Sequence, residues 1–362
     1  MKIKGAVVHG KGQEFQIEEL ELSEPKENEV LVKVVAAGVC HTDAVARDQM
    51  IPVQLPAVLG HEGSGIIEKV GAGVKTVEPG DHVVLSFSSC GNCENCLTGH
   101  PAACIHLTEF NFGGKMPDGT NRLYQGDQEV STFFGQSTFG TYAVSHERNV
   151  VKVDKDVDLN LLGPLGCGIQ TGAGTVINKL QPEFGSTIAI FGCGAVGLSA
   201  IMGAKLIGCS KIIAVDIHDS RLELAKELGA THVINGSEVE TLEEIRKITD
   251  GGVNYAVETT GVSPVVVQSV QSLRSLGTVA VVGATGEVTL NVQLDLLNEG
   301  RSIVSVVEGD SIPQLFIPKL IEYYKNGQFP FDKLVKFYEL EEINQAFEDS
   351  GKGTTIKPIL KI

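Results

Sequence analysis

Hydrophobic and polar positions follow two rhythms along this chain. Up to about residue 160 the apolar residues come in short runs, such as Glu29-Val-Leu-Val-Lys-Val-Val and Gly80-Asp-His-Val-Val-Leu. These are bounded by glycine, proline and asparagine, which predicts β-rich structure. From about residue 186 the segments TIAIFG, KIIAVD, THVIN, YAVETTG and TVAVVG read as short buried strands. Between them, VGLSAIMGAKLIG, SRLELAKELGA, EVETLEEIRKI and VVVQSVQSLRSLG read as helices. Strands alternating with crossover helices predict a doubly wound parallel sheet, so the chain is α/β. The last 55 or so residues leave that rhythm and are expected to return to the first domain. The most apolar stretch, Thr187 to Gly208, holds Lys205 and a glycine-rich turn, and it reads as a strand followed by a helix rather than a bilayer span.

The turn inside that stretch carries the first chemistry. Gly192-Cys193-Gly194-Ala195-Val196-Gly197 is a G-x-G-x-x-G, weak alone in a chain with 42 glycines. Here it follows a predicted strand and opens a predicted helix, the context a dinucleotide site needs. The glycines permit a tight turn and close approach of a pyrophosphate to the helix N-terminus. The next strand ends in Asp216, about 20 residues on, where a carboxylate holds both ribose hydroxyls of NAD and repels the extra phosphate of NADP. Gly192, Gly194, Val196, Gly197, Asp216 and Arg221 are the cofactor-binding candidates.

Length and composition bound the rest. At 362 residues the chain suggests about two domains. A net charge of -16 argues against nucleic acid and anionic membrane partners, which need basic surfaces. The start, MKIKGAVVHGKG, has no apolar run of a secretory signal, so a cytoplasmic, reducing setting is expected. There, clustered cysteines are metal ligands more often than disulfides. Cys90, Cys93, Cys96 and Cys104 lie in one short loop and can wrap a tetrahedral Zn²⁺ with no open position, a structural site. An iron–sulfur cluster competes on spacing alone. Cys40-His41-Thr42-Asp43, Gly60-His61-Glu62-Gly63 and Cys167 are scattered, and spacing does not join them. Singly, Cys167 reads as a small buried residue and His61 as a loop histidine.

The chain resembles the zinc-containing medium-chain alcohol dehydrogenases through nearly its whole length. The resemblance is carried by Gly60-His61-Glu62, the four-cysteine loop at 90–104, Gly166-Cys167-Gly168 and the nucleotide turn at 192–197. The aryl-alcohol branch is the most similar, through LLGPLGCGIQTGAG, SRLELAKELGATHVIN, FPFDKLVKFY and KPILKI. The resemblance implies two zinc ions per chain and NAD. Cys40, His61 and Cys167 would hold the catalytic zinc, with Glu62 the acid that approaches the metal during ligand exchange. Asp43 would orient the histidine. Thr42 would hydrogen-bond the substrate oxygen, and His41 and Lys357 would contact the pyrophosphate. The implied architecture is a GroES-like catalytic domain, residues 1–168 and 308–362, and a Rossmann domain, residues 169–307, with the site in the cleft between them. The implied reaction is reversible oxidation of a primary benzyl-type alcohol to the aldehyde, with a geraniol-type allylic alcohol as the alternative. A homo-oligomer, tetramer before dimer, is also implied. One residue departs from the pattern: many relatives place a proton-relaying histidine where this chain has Val45. A zinc-free quinone or enone reductase would lack both metal clusters, and a non-catalytic NAD sensor would lack the open one.

Overall fold

The computed structural model describes residues 1–362, which divide into two compact units. The first comprises Met1–Gly168, Ile312–Lys319 and Asp332–Ile362, and the second Ile169–Ser311 and Leu320–Phe331.

The first unit is built on two sheets. One is five-stranded and contains the antiparallel pair Lys2–Val8 and Gln16–Leu22. The other is seven-stranded and centres on Glu29–Gly38, which pairs antiparallel with Gly63–Val70, Tyr142–His146 and Lys357–Lys361. The apolar run from Glu29 onward is buried at all but a few positions, as a strand with neighbours on both edges must be. Val335–Glu339 joins the same sheet in parallel with Lys357–Lys361. The end of the chain thus lies beside Ala36, Ala37 and Gly38, at the start of the segment that carries Cys40.

The second unit holds the expected doubly wound sheet, six parallel strands in the spatial order 232–235, 211–216, 187–191, 253–258, 273–281 and 302–305. The predicted helices appear as Ala195–Ile207, Asp219–Leu228, Thr241–Thr249 and Ser263–Gln271. Thr187–Gly208 resolves into a strand, a turn and a 13-residue helix, and no helix of the protein is long and apolar enough to cross a membrane.

Two boundaries differ from the sequence expectation. The helix read through VVVQSVQSLRSLG stops at Gln271, and Leu273–Gly277 belongs to the following strand. Leu276 has φ of 65°, incompatible with helix, and the register against the neighbouring strand shifts between Val253 and Tyr255. Within 308–362, expected in the first domain, residues 308–311 and Leu320–Phe331 group with the second unit rather than the first. The side chains of Leu320, Ile321, Phe329 and Phe331 are fully buried, and Phe331 packs on Tyr324 with ring centroids 4.7 Å apart.

Candidate active site

Cys40 caps the short helix His41–Arg47, and its N–H donates to Asp43 Oδ2 at 3.0 Å. The other oxygen of Asp43 accepts from Gly60 N at 3.1 Å and from His61 Nδ1 at 2.9 Å. One fully buried carboxylate therefore ties the Cys40 segment to the His61 segment. Gly60 has φ of 92°, and a Cβ there would come within 2.6 Å of Phe139 N, so the turn that aims His61 requires glycine. The imidazole stacks on Phe134 at 4.4 Å and meets the edge of Phe133 at 5.5 Å. With Nδ1 donating to Asp43, Nε2 is left buried without a hydrogen-bond partner. An orphaned nitrogen of this kind is costly unless something binds it.

What lies around Nε2 is a metal donor set. One ligand atom from each of Cys40, His61, Glu62 and Cys167 falls within 4.8 Å of all the others. Two thiols and an imidazole are the donors zinc prefers, and the residues present fit it. The electrostatics agree. Cys167, and after it Lys357 and His61, pull the Cys40 thiol well below its usual range, against the effect of burial. Burial disfavours the imidazolium, but Asp43 and Cys40 outweigh it and hold the His61 pKa well above its ordinary value. Burial raises Glu62 to about 7, against the opposing pull of Lys357.

The second cluster is local. The Sγ atoms of Cys90, Cys93, Cys96 and Cys104 also lie within 4.8 Å of one another, and none is in a disulfide. Backbone N–H groups of Cys90, Cys93 and His106 point at the sulfurs of Cys104, Cys90 and Cys104 at 3.3–3.4 Å. N–H groups of Cys96 and Ile105 bring Cys93 down to about 6. Four such sulfurs in tetrahedral reach fit a closed zinc site.

In the second unit, the turn after Thr187–Phe191 places Gly192 at φ of 89° and Gly194 at the N-cap of Ala195–Ile207. No side chain caps that helix, so its first N–H groups are free for an anion, and a Cβ on Gly194 would meet nothing within 4 Å. A Cβ on Gly197 would sit 1.8 Å from Gly192 O, so helix and turn pack without space for a side chain. Asp216 closes the turn: Oδ2 accepts from Cys193 N at 2.6 Å and Oδ1 from Ile217 N and His218 N. Arg221 stands beside it, Nη1 at 3.9 Å. These residues fit a dinucleotide.

Three expected residues need comment. Thr42 Oγ1 lies 3.7 Å from Cys40 Sγ, beside the donor set, and His41 is exposed at the helix start. Lys357, expected at a pyrophosphate, is buried, with Nζ at 2.9 Å from both oxygens of Glu62 and 3.2 Å from Val39 O. All three of its donors are in use, which leaves none for a phosphate. Sequence reasoning also missed Gln136, whose amide donates to His61 O at 3.1 Å and Ser86 O at 3.0 Å, and the aromatic pair Phe133 and Phe134. The run Ser131–Gly140 is buried throughout and carries no periodicity that would have marked them.

With fold and donor sets in hand, the class follows from likeness to known proteins. Residues 26–155 match the alcohol dehydrogenase GroES-like domain, and residues 195–323 match the zinc-binding dehydrogenase family. A geraniol dehydrogenase of Castellaniella defragrans is 45% identical over 99% of this chain and 97% of its own length. The benzyl alcohol dehydrogenase of Acinetobacter calcoaceticus has the same fold with a TM-score of 0.97, at 53% identity over 100% of this chain and 99% of that one. An alcohol dehydrogenase zinc-binding domain protein from Burkholderia ambifaria gives a TM-score of 0.98 at 51% identity over 100% of this chain and 99% of that one. The chain belongs to the zinc-binding medium-chain alcohol dehydrogenase family. It is a zinc-dependent alcohol dehydrogenase that uses a pyridine nucleotide.

The two donor sets are expected to part under mutation. Wild-type protein is expected to carry two zinc ions per chain by metal analysis. Cys93→Ser loses one and lowers folding stability, because structural zinc binding is coupled to folding. Cys40→Ser loses the other and abolishes turnover while NADH titration remains measurable. Equal loss of nucleotide binding in both variants would contradict this division.

Proposed function

We propose that this protein is an NAD-dependent dehydrogenase of primary aromatic alcohols, with Cys40, His61 and Cys167 holding a catalytic zinc and Cys90, Cys93, Cys96 and Cys104 a structural one. The observation that carries the metal assignment is the convergence of two thiols on the buried, partnerless Nε2 of His61. Bound there, zinc supplies Lewis-acid chemistry that makes an alcohol hydroxyl more acidic. The chain's own residues do the rest. Asp43 fixes the imidazole, and Phe133 and Phe134 pack against it. The N-terminal N–H groups of Ala195–Ile207 with Gly192, Gly194, Val196 and Gly197 cradle the dinucleotide, Arg221 adds a positive charge, and His41 is kept as a candidate for hydrogen-bonding the pyrophosphate. The first unit serves as the catalytic domain and the second as the nucleotide-binding domain.

NAD is favoured over NADP by Asp216, since a carboxylate there repels a ribose phosphate. The aromatic substrate is supported by 53% identity to a benzyl alcohol dehydrogenase across the whole chain. A geraniol-type substrate is the second reading, supported by the 45% identical geraniol dehydrogenase. Both alcohols are primary with an unsaturated carbon beside the carbinol, so hydride loss yields a conjugated aldehyde. Initial-rate kinetics decide. Benzyl alcohol with NAD is expected to give the highest kcat/KM in a panel with geraniol, ethanol and both nucleotides. A higher value for geraniol moves the protein to the second reading, and preference for ethanol or for NADP refutes the corresponding half of the proposal.

Association is the homo-oligomeric reading, with a tetramer favoured. The strand Ser302–Ser305 is the unpaired edge of the parallel sheet, and Leu276, Leu294, Leu297, Ile303 and Val307 around it are exposed. Apolar side chains clustered at an open edge call for a cover. A monomeric mass by light scattering would refute it.

Proton movement falls to Thr42. Val45 is buried and neither donates nor accepts, so no imidazole continues the path at that position. Thr42 Oγ1, beside Cys40 Sγ, would accept the hydroxyl proton while giving up its own. Thr42→Ser is expected to remain active. Thr42→Val is expected to lose about a hundredfold or more in alcohol oxidation, the scale of a general acid–base contribution. Wild-type rates in Thr42→Val, with hydride transfer limiting, would remove the relay.

A further inference from the structure

Glu62 sits among the metal donors yet is bound elsewhere. Lys357 Nζ reaches both carboxylate oxygens at 2.9 Å, and Gly168 N donates to Oε1 at 3.1 Å. The pair is sealed from water, with Lys357 side chain 4% exposed and Glu62 0%. The carboxylate occupies a slot cut by glycine. A Cβ on Gly38 would come within 2.1 Å of Glu62 Oε2, and one on Gly168 within 3.2 Å of Oε1 and 3.4 Å of Lys357 Nζ. A Cβ on Gly163 would press the Glu62 backbone, 2.3 Å from its carbonyl oxygen. The C-terminal strand that delivers Lys357 is locked in place by Val39 N, which donates to Pro358 O at 2.9 Å.

Charge makes this arrangement consequential. A divalent metal on two thiolates is already neutralised by its own ligands. Glu62 then has one counter-charge, the Lys357 ammonium, and in a buried setting a carboxylate without one is costly. Were Lys357 lost, the nearest positive centre for Glu62 would be the metal itself, whose ligand atoms lie within 4.8 Å of the carboxylate. From this juxtaposition we infer that Lys357 is a latch. It holds Glu62 in the glycine slot and off the catalytic metal, and so sets how readily that metal exchanges its ligands. Lys357 acts through Glu62 and touches no substrate, so it is a positioning residue. The inference rests on the reading of Cys40, His61 and Cys167 as metal ligands.

The test uses the zinc holoenzyme and its cobalt-exchanged form, with two readouts other than activity: the rate at which zinc passes to a chelator, and the visible ligand-field spectrum of cobalt. In Lys357→Gln, Glu62 is expected to join the metal, slowing release about tenfold or more, the scale on which partners of metal ligands act, and changing the cobalt spectrum. Lys357→Arg keeps the ion pair and is expected to restore wild-type release and spectrum. Adding Glu62→Gln to Lys357→Gln is expected to abolish the spectral change. Gly38→Ala, which pushes the carboxylate out of its slot with Lys357 intact, is expected to reproduce it and decides the matter if Lys357→Gln does not fold. Wild-type release and spectrum in a folded Lys357→Gln or Gly38→Ala protein, or a spectral change that survives Glu62→Gln, overturns the latch. Zinc content unchanged by Cys40→Ser overturns the ligand reading itself, and the latch with it.

Discussion

The protein buries acids side by side. Ligand atoms of Cys40, Cys167 and Glu62 lie within 4.8 Å of one of His61, Asp43 is hydrogen-bonded to its other nitrogen, and Asp43 and Glu62 are wholly inaccessible. Four groups that ionise to negative charge cannot share a dry site without compensation, and removing one partner from such a site typically costs about 3–5 kcal/mol. Each acid is compensated differently here. Asp43 takes two backbone N–H groups and the imidazole, Glu62 takes a lysine and a backbone N–H, and the thiols converge on a nitrogen that lacks any partner. That last arrangement is satisfied by a metal ion.

Much of the fold of the first unit serves this compensation. Lys357 comes from the far end of the chain, and its ammonium reaches Glu62 because the strand Lys357–Lys361 pairs antiparallel with the end of Glu29–Gly38. The same sheet supplies Gly38, whose missing side chain is the space Glu62 fills. Gly63–Val70, which follows His61 and Glu62 directly, is the neighbouring strand on the other side. Three distant segments therefore meet because one sheet holds two of them, and a short 3₁₀ turn at Gly163–Gly166 brings in the third, Cys167.

The second unit solves a simpler problem. Its inner strands 187–191 and 211–216 are short, largely buried apolar runs, and the turn after the first of them leaves helix N–H groups uncapped. Asp216 ties the turn to the second strand through Cys193 N, so the acid proposed to meet the ribose also shapes the glycine turn. One local residue thereby couples fold and recognition.

Features carried by neighbouring residues were legible in the chain itself. Period and length marked the alternating strands and helices, because a buried parallel strand must be apolar throughout. The nucleotide turn and the four-cysteine loop declared themselves because all their donors lie within a few residues. The joining of Cys40, His61 and Cys167 was reached through family resemblance, since no spacing rule connects positions so far apart. The place of Lys357 was reached by neither. The resemblance implied a pyrophosphate contact for this lysine, and only the strand pairing beside Gly38 turns its ammonium onto Glu62. The end of the helix at Gln271 was likewise decided by the sheet, where Leu273 is taken up as a strand partner of Val253. Local pattern determines what the backbone can do at each point, whereas the compensation of buried charge depends on which distant segments the sheets bring side by side.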